Sequence, residues 1–170
     1  MSPGAWRRLG DDPRGTVAPA RARRHHVVTS ITVERELTQS PSVVWEELRH
    51  IERHVNWMMD ATTIDFDSAQ REGVGTSFRC TTKVGPITLL DAMTITTWVE
   101  KTVMGVEHRG VIGGRGIFTL SPRGTGTLLA WRENLLVPWW MGGPLGALVA
   151  SPILRSIWEK NLDAFASTLP

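Results

Sequence analysis

The pattern of hydrophobic and polar positions predicts a chain built mainly of strands. Apolar and polar residues alternate with a period of two along seven segments, as in strands with one buried face. These strands are predicted over residues 31–37, 62–67, 76–83, 87–98, 103–109, 115–121 and 126–137. Short connections rich in Gly and Pro separate the later ones, which favours antiparallel pairing.

Helical periodicity is confined to two places. Ser40 and Pro41 mark a helix start, and apolar residues at helical spacing then continue to Met58 through two short helices. After a corner over residues 139–144, one long helix keeps the same face apolar at Leu154, Trp158, Leu162, Phe165 and Leu169. One long amphipathic helix beside many antiparallel strands predicts an α+β fold in which the sheet wraps around the helix.

Residues 1–28 differ from the rest of the chain in composition. They carry six Arg and two Asp, a net charge of +4, and show no hydrophobic period. We therefore expect a disordered basic segment, followed by a single domain over residues 29–170. The domain itself has a net charge of −2, which argues against nucleic acid as a partner. The sequence leaves open that the basic segment contacts nucleic acid or anionic lipid, or that translation starts near Val27 or Val28.

Cysteine and histidine positions give no sign of a metal site. The single cysteine, Cys80, excludes an internal disulfide framework, and residues 1–28 lack the apolar core of a signal peptide, so we expect a cytoplasmic protein. His50 and His54 have the i, i+4 spacing of helical zinc ligands, but no Glu between them completes that pattern and no third ligand is evident. We interpret both as solvated surface histidines and predict no metal.

Residues 135–154 contain no charged side chain over the length of a bilayer span. Three Pro and three Gly residues interrupt this stretch, so we predict no transmembrane span and interpret it as a mobile lid. Trp139 and Trp140 lie within it. Two interpretations remain open for this pair: burial against the mouth of the sheet, or exposure, where the pair guards a portal or makes transient contact with a membrane.

Several motifs resemble the START-like or SRPBCC superfamily, which includes the polyketide cyclase/dehydrase family. They are Ser40-Pro41-Ser-Val-Val-Trp45, Gly73-Val-Gly-Thr76, Trp98, Glu107-His-Arg-Gly110, Gly116-Ile-Phe118 and Trp131-Arg-Glu133. The resemblance covers about residues 29–168 and implies a helix-grip fold, in which a curved seven-stranded antiparallel sheet wraps the C-terminal helix around an apolar cavity. It also implies binding of a lipid, polyketide or aromatic metabolite, or, for a minority of members, cyclisation or dehydration without a cofactor. The superfamily has no shared catalytic motif.

Period-two alternation places three ionisable residues, Asp91, His108 and Glu133, on otherwise apolar strand faces. One hypothesis is that Glu133 and Asp91 orient a ligand's hydroxyl or carbonyl, with His108 as acid or base. The competing interpretations are that the three satisfy one another, that they bond Arg79, Arg109 or the backbone, or that a one-residue shift turns them to solvent.

The predicted ligand-binding residues are Asp91, Met93, Trp98, His108, Phe118, Trp131, Glu133, Leu154 and Trp158. Binding of a hydrophobic molecule is the first hypothesis, and a cofactor-independent polyketide cyclase/dehydrase using Glu133, His108 and Asp91 is the second. A third class, a partner-binding protein, would show an exposed apolar groove instead of an enclosed cavity. The ligand and the oligomeric state are left open.

Overall fold

A seven-stranded antiparallel sheet and a long C-terminal helix make up most of the computed structural model, which describes residues 26–170. The strands are β1 (His26–Leu37), β2 (Ala61–Phe66), β3 (Ser77–Val84), β4 (Ile87–Val99), β5 (Val103–Arg109), β6 (Gly113–Arg123) and β7 (Gly126–Pro138). Helix α1 (Pro41–Leu48) and a 3₁₀ helix (Ile51–Asn56) follow β1, and a 3₁₀ turn (Trp139–Met141) leads from β7 into α2 (Gly143–Thr168). The predicted fold class, with all seven strands, is confirmed.

The sheet has the strand order β1-β7-β6-β5-β4-β3-β2, so every strand but the first lies beside its neighbour in the sequence. Strand β1 pairs with β7 along its whole length, from His26 opposite Pro138 to Leu37 opposite Thr127. Residues 1–25 of the predicted basic segment lie outside the described residues. His26–Val28, which the sequence assigned to that segment, form the start of β1 because β7 offers them partners as far as Pro138.

The core lies between the concave face of the sheet, α1 and the C-terminal half of α2. Trp57 is almost fully buried there, with its ring centroid 5.1 Å from that of Phe165 and 6.4 Å from that of Trp131. Leu129 of β7 and Leu162 of α2 are also fully buried. Edge-on aromatic contacts of this kind add to the burial of apolar area and fix how the helix lies on the sheet.

Helix α2 is continuous from Gly143, whereas the sequence predicted repeated breaks by Pro and Gly. Pro144 falls in the first turn, where a backbone N–H has no helical partner to lose. Pro152 lies within the helix on an exposed side, and the helix continues past it to Thr168. Among the described residues, no helix is long and apolar enough to cross a membrane.

Candidate functional site

A cavity of about 380 Å³ lies between the concave face of the sheet and the N-terminal half of α2. Its walls are predominantly apolar, with Phe118 and Trp131 from the sheet and Trp158 from α2 among the aromatic side chains. Ile87, at the β3–β4 turn, and Ile153 of α2 line the cavity and are also about half exposed, so the cavity opens between these two elements. Its volume and lining are those of a small-molecule site.

Three ionisable side chains enter this apolar wall from different strands: Asp91 from β4, His108 from β5 and Glu133 from β7. The Trp131 indole Nε1–H donates a hydrogen bond to Glu133 Oε1 at 2.8 Å. The second carboxylate oxygen, Glu133 Oε2, lies 3.4 Å from His108 Nε2, within ion-pair distance but outside hydrogen-bond geometry. Within the described chain, Asp91 Oδ1, His108 Nε2 and Glu133 Oε2 are buried and have no hydrogen-bond partner.

Two glycines make room for the two carboxylates. Gly116 of β6 is paired with Glu133 of β7, and a Cβ atom at Gly116 would lie 2.7 Å from the Glu133 carboxyl carbon. Gly110, just after β5, is placed in the same way, because a Cβ there would lie 2.9 Å from the carboxyl carbon of Asp91. Both distances are shorter than a non-bonded carbon contact permits. The sheet therefore accommodates these buried acids only where it carries glycine.

Burial and mutual charge set the protonation of this cluster. Burial raises the pKa of Asp91, and the nearby His108 only partly offsets that effect. Burial alone would lower the pKa of His108, but the carboxylates of Glu133 and Asp91 outweigh it and leave that pKa above its ordinary value. The arrangement favours the protonated form of the His108 ring. The cavity thus holds a hydrogen-bond donor and acceptors in an apolar surrounding.

His54 is a cavity residue that the sequence analysis assigned to the solvated surface, and that prediction is wrong. Its ring is buried, and Nε2 lies 2.8 Å from the backbone oxygen of Leu48. Burial lowers the pKa of His54 to about 4, so the ring is neutral at pH 7 and donates this hydrogen bond from Nε2.

The error came from treating residues 51–56 as an α-helix. They form a 3₁₀ helix, in which residues three apart eclipse one another, so Ile51, His54 and Trp57 all turn inward. Their three-residue spacing was the signal that could have identified His54. His50 lies nearer the surface, beside Glu46 and Glu52. The described residues contain no group of His, Cys, Asp or Glu suited to hold a metal ion.

Eight of the nine predicted ligand-binding residues line the cavity. They are Asp91, Met93, His108, Phe118, Trp131, Glu133, Leu154 and Trp158. Trp98 does not: its ring packs edge-on against Trp45 of α1, with centroids 5.1 Å apart. A register shift between Ile95 and Thr97 keeps Trp98 on the concave face, opposite Met104, but at the far end of β4 where α1 covers it.

The structure rules out three interpretations that the sequence left open. Two concern the cavity acids Asp91 and Glu133, and one concerns Trp139 and Trp140. Arg79 pairs with Asp67 and Arg109 with Glu107, so neither arginine neutralises the cavity acids. Burial of Asp91 and Glu133 excludes a strand register that would turn them to solvent. Trp139 and Trp140 are about two-thirds exposed, so the interpretation that they are buried against the sheet is wrong.

Comparisons of the sequence with models of protein families and with curated proteins find no match. The structure is similar to TTHA0849 from Thermus thermophilus, with a TM-score of 0.70 and 16% identity over 82% of this chain and 95% of that one. It is similar to the ZhuI aromatase/cyclase from Streptomyces sp. R1128, with a TM-score of 0.63 and 13% identity over 84% and 93% of the two chains. It is also similar to Ara h 8.0201, with a TM-score of 0.63 and 13% identity over 84% and 97%. The helix-grip fold predicted from the motifs is thereby confirmed.

Proposed function

We propose that this protein binds a hydrophobic small molecule that carries a hydroxyl, enol or carbonyl group, with its apolar body in the cavity between sheet and α2. The observation that carries the proposal is the set of buried polar atoms on Asp91, His108 and Glu133 that have no hydrogen-bond partner in an otherwise apolar wall. Buried polar atoms without partners destabilise a folded protein, and a ligand that supplies the missing hydrogen bonds removes that cost.

The cluster is suited to a ligand oxygen that both donates and accepts hydrogen bonds. A hydroxyl or enol could donate to Glu133 Oε2 and accept from protonated His108 Nε2, which lie 3.4 Å apart. The Glu133 carboxylate is held in place for this by the indole of Trp131. The aromatic side chains Phe118, Trp131 and Trp158 on the cavity wall favour a flat ring system or a lipid chain in the remaining space.

A second candidate function is cofactor-independent cyclisation or dehydration of a polyketide-like substrate. It is favoured by the position of His108, near both carboxylates and with a raised pKa. One carboxylate would take a proton from a carbon next to a ketone, while the imidazolium hydrogen-bonds to the forming enolate oxygen. Attack of that carbon on a second carbonyl closes a ring and turns this carbonyl into a hydroxyl. Protonation of the hydroxyl and loss of a further proton then release water. One solved structure of this fold is named an aromatase/cyclase.

The first experiment is native mass spectrometry of the purified full chain, followed by organic extraction of whatever it retains. We expect a retained apolar molecule with at least one oxygen function. Glu133→Gln should lower its occupancy about tenfold, the effect of losing one charge-assisted hydrogen bond. The matched control is Glu107→Gln on β5, which removes a carboxylate paired with Arg109 outside the cavity and should leave occupancy unchanged.

A ligand-free mass, together with no thermal shift on addition of fatty acids, sterols and aromatic polyketides, would contradict the binding proposal. The catalytic candidate is tested by incubating synthetic poly-β-ketone thioesters with the chain and following the products by mass. Loss of water or ring closure that His108→Asn abolishes would support catalysis. Unchanged thioesters, with a retained natural ligand, would leave binding as the function.

A further inference from the structure

The exposed apolar side chains of the protein are concentrated at one end of the sheet. This end, here called the mouth end, carries the start of β1, the β3–β4 turn at Gly85–Pro86, the connection over residues 110–112, the end of β7 and the start of α2. These segments lie at the same end of the sheet because neighbouring strands run antiparallel in the order β1-β7-β6-β5-β4-β3-β2.

The apolar residues at the mouth end include Ile87, Trp139, Trp140, Leu145, Leu148 and Val149. The most exposed of these side chains include Trp139, Trp140, Leu145 and Leu148, each at least 64% exposed. Residues 143–154 of α2 carry no charged side chain, although several of their faces meet solvent. An exposed apolar surface of this extent at the opening of a cavity is typical of a surface that docks onto something.

The charged side chains around the mouth end are mainly basic. Lys83, Arg109 and Arg115 are exposed there, and Glu107, the carboxylate between the two arginines, is paired with both. Exposed acidic residues such as Glu36 and Glu100 lie at the opposite end of the sheet, beside the end of β1 and the β4–β5 turn. The mouth end therefore suits a partner that is both apolar and negatively charged.

The basic N-terminal segment joins the domain at this same end. His26, the first residue of β1, is paired with Pro138, which directly precedes Trp139. The chain that leads into His26 includes Arg21, Arg23 and Arg24, and residues 1–25 together contain six Arg and two Asp. Further positive charge thus precedes β1 in the sequence, and β1 begins at the mouth end.

We propose that the mouth end docks onto the surface of a bilayer that contains anionic lipid. Tryptophan is favoured at the membrane interface, where its ring meets the acyl boundary and its N–H meets water. Apolar insertion combined with a basic cluster gives the two signals that stable peripheral binding requires. This docking is independent of which molecule the cavity binds.

The observations favour a bilayer over the two other occupants of such a surface. A second copy of the chain, related by a two-fold axis, would place two surfaces with the same excess of basic side chains against each other. The N-terminal segment has few large apolar residues among its many arginines, so it offers little apolar area to cover Trp139 and Leu148. An anionic bilayer complements both the apolar and the basic part of the mouth end.

The test is flotation of the full chain with vesicles of phosphatidylcholine alone and with vesicles containing about one third phosphatidylglycerol. We expect binding to the anionic vesicles only, weakened by salt. The double variant Trp139→Ser, Trp140→Ser should reduce the bound fraction at least tenfold. The triple variant Arg21→Gln, Arg23→Gln, Arg24→Gln should reduce it by about tenfold and weaken the salt dependence.

The matched control is the double variant Val74→Ser, Val99→Ser, which removes two exposed apolar side chains from the opposite end and should bind like the wild type. Absence of binding to anionic vesicles, or equal binding by the Trp variant, would overturn the proposal. So would a concentration-dependent dimer in sedimentation velocity that the Trp variant abolishes, since the surface would then belong to a second copy. Vesicle binding that appears only in the Arg variant would assign the surface to the N-terminal segment instead.

Discussion

His54 and His108 both lie in the cavity wall, but their surroundings change their protonation in opposite directions. His108 has two carboxylates nearby, which raise its pKa despite burial. His54 has only the Leu48 carbonyl and the distant Glu52 charge to support a proton, so burial dominates and lowers its pKa to about 4. One histidine is therefore suited to act as a cationic donor near neutral pH, and the other is a neutral part of the wall.

The stability of the fold should depend on pH through His54. Its folded pKa of about 4 is below the ordinary value of 6.5, so its contribution is fully present above pH 6.5 and is lost as the pH falls toward 4. Because this ring is fully buried, we expect a loss of roughly 2–3 kcal/mol in the free energy of unfolding between pH 7 and 4.

The measurement is urea unfolding of the wild type and of His54→Gln, which keeps a donor for the Leu48 carbonyl but does not titrate. The wild type should be the more stable at pH 7, and the difference should shrink on acidification. His50→Gln, at the partly exposed histidine beside Glu46 and Glu52, is the matched control and should keep the wild-type pH dependence. Parallel curves for wild type and His54→Gln would show that His54 does not set this dependence.

Strand β6 shapes the site through Gly116, a residue that has no side chain. Gly116 faces the Glu133 carboxylate across the β6–β7 pair, and only the absence of a Cβ lets that carboxylate reach the Trp131 indole. Gly113, on the same strand, has no such neighbour. A Cβ atom added at Gly113 would have the His108 carbonyl oxygen as its nearest atom, at 3.7 Å.

Gly116→Ala should therefore destabilise the protein by roughly 1–3 kcal/mol, because the new methyl group displaces a buried carboxylate and breaks its hydrogen bond to Trp131. Chemical denaturation measures the loss, and the Trp131 indole N–H resonance in NMR should shift as that bond is lost. Gly113→Ala is the control, with an expected change of about 0.5 kcal/mol or less. Equal effects of the two substitutions would mean that space beside Glu133 is not the reason for glycine.

The sequence was sufficient where a simple period holds and insufficient where the backbone departs from it. Alternation along β4, β5 and β7 placed Asp91, His108 and Glu133 on one face, because the period of two is uninterrupted up to those residues. The register shift near Thr97, the 3₁₀ form of residues 51–56 and the continuation of α2 through Pro152 are departures from the regular pattern. No local pattern of apolar residues separates the 3₁₀ form from an α-helix or shows that a helix runs through Pro152, which is why His54 and the first part of α2 were misassigned. Trp98 was misplaced because α1 covers its end of β4.

At the scale of the whole molecule, α2 divides the space inside the sheet into two parts. Its C-terminal half buries Trp158, Leu162 and Phe165 and closes the core. Its N-terminal half contributes Ile153 and Leu154 to the cavity wall and leaves the remainder of its apolar surface exposed. Stability and ligand binding therefore depend mainly on different halves of the same helix, and Trp158 contributes to both core and cavity wall. It should be possible to fill the cavity beside β5 without unfolding the core.

Val106→Trp tests this separation. Val106 of β5 lines the cavity, and a tryptophan there would occupy space that a ligand needs while its ring remains among apolar side chains. We expect retention of the extracted ligand to fall at least tenfold, with the melting temperature changed by only a few degrees. Native mass spectrometry and calorimetry measure the two quantities on the same preparation.

Val103→Trp is the matched control, because Val103 lies on the same strand with similar burial but is not among the cavity-lining residues. It should leave ligand occupancy unchanged. If Val106→Trp retained the ligand at wild-type stoichiometry, the ligand would have to lie outside this cavity. Vesicle flotation of the same variant separates the two surfaces, because Val106 lines the cavity and is not one of the exposed apolar residues of the mouth end. A protein with a filled cavity should therefore still dock. Loss of docking together with loss of ligand would instead show that the membrane-binding surface forms only around an occupied cavity.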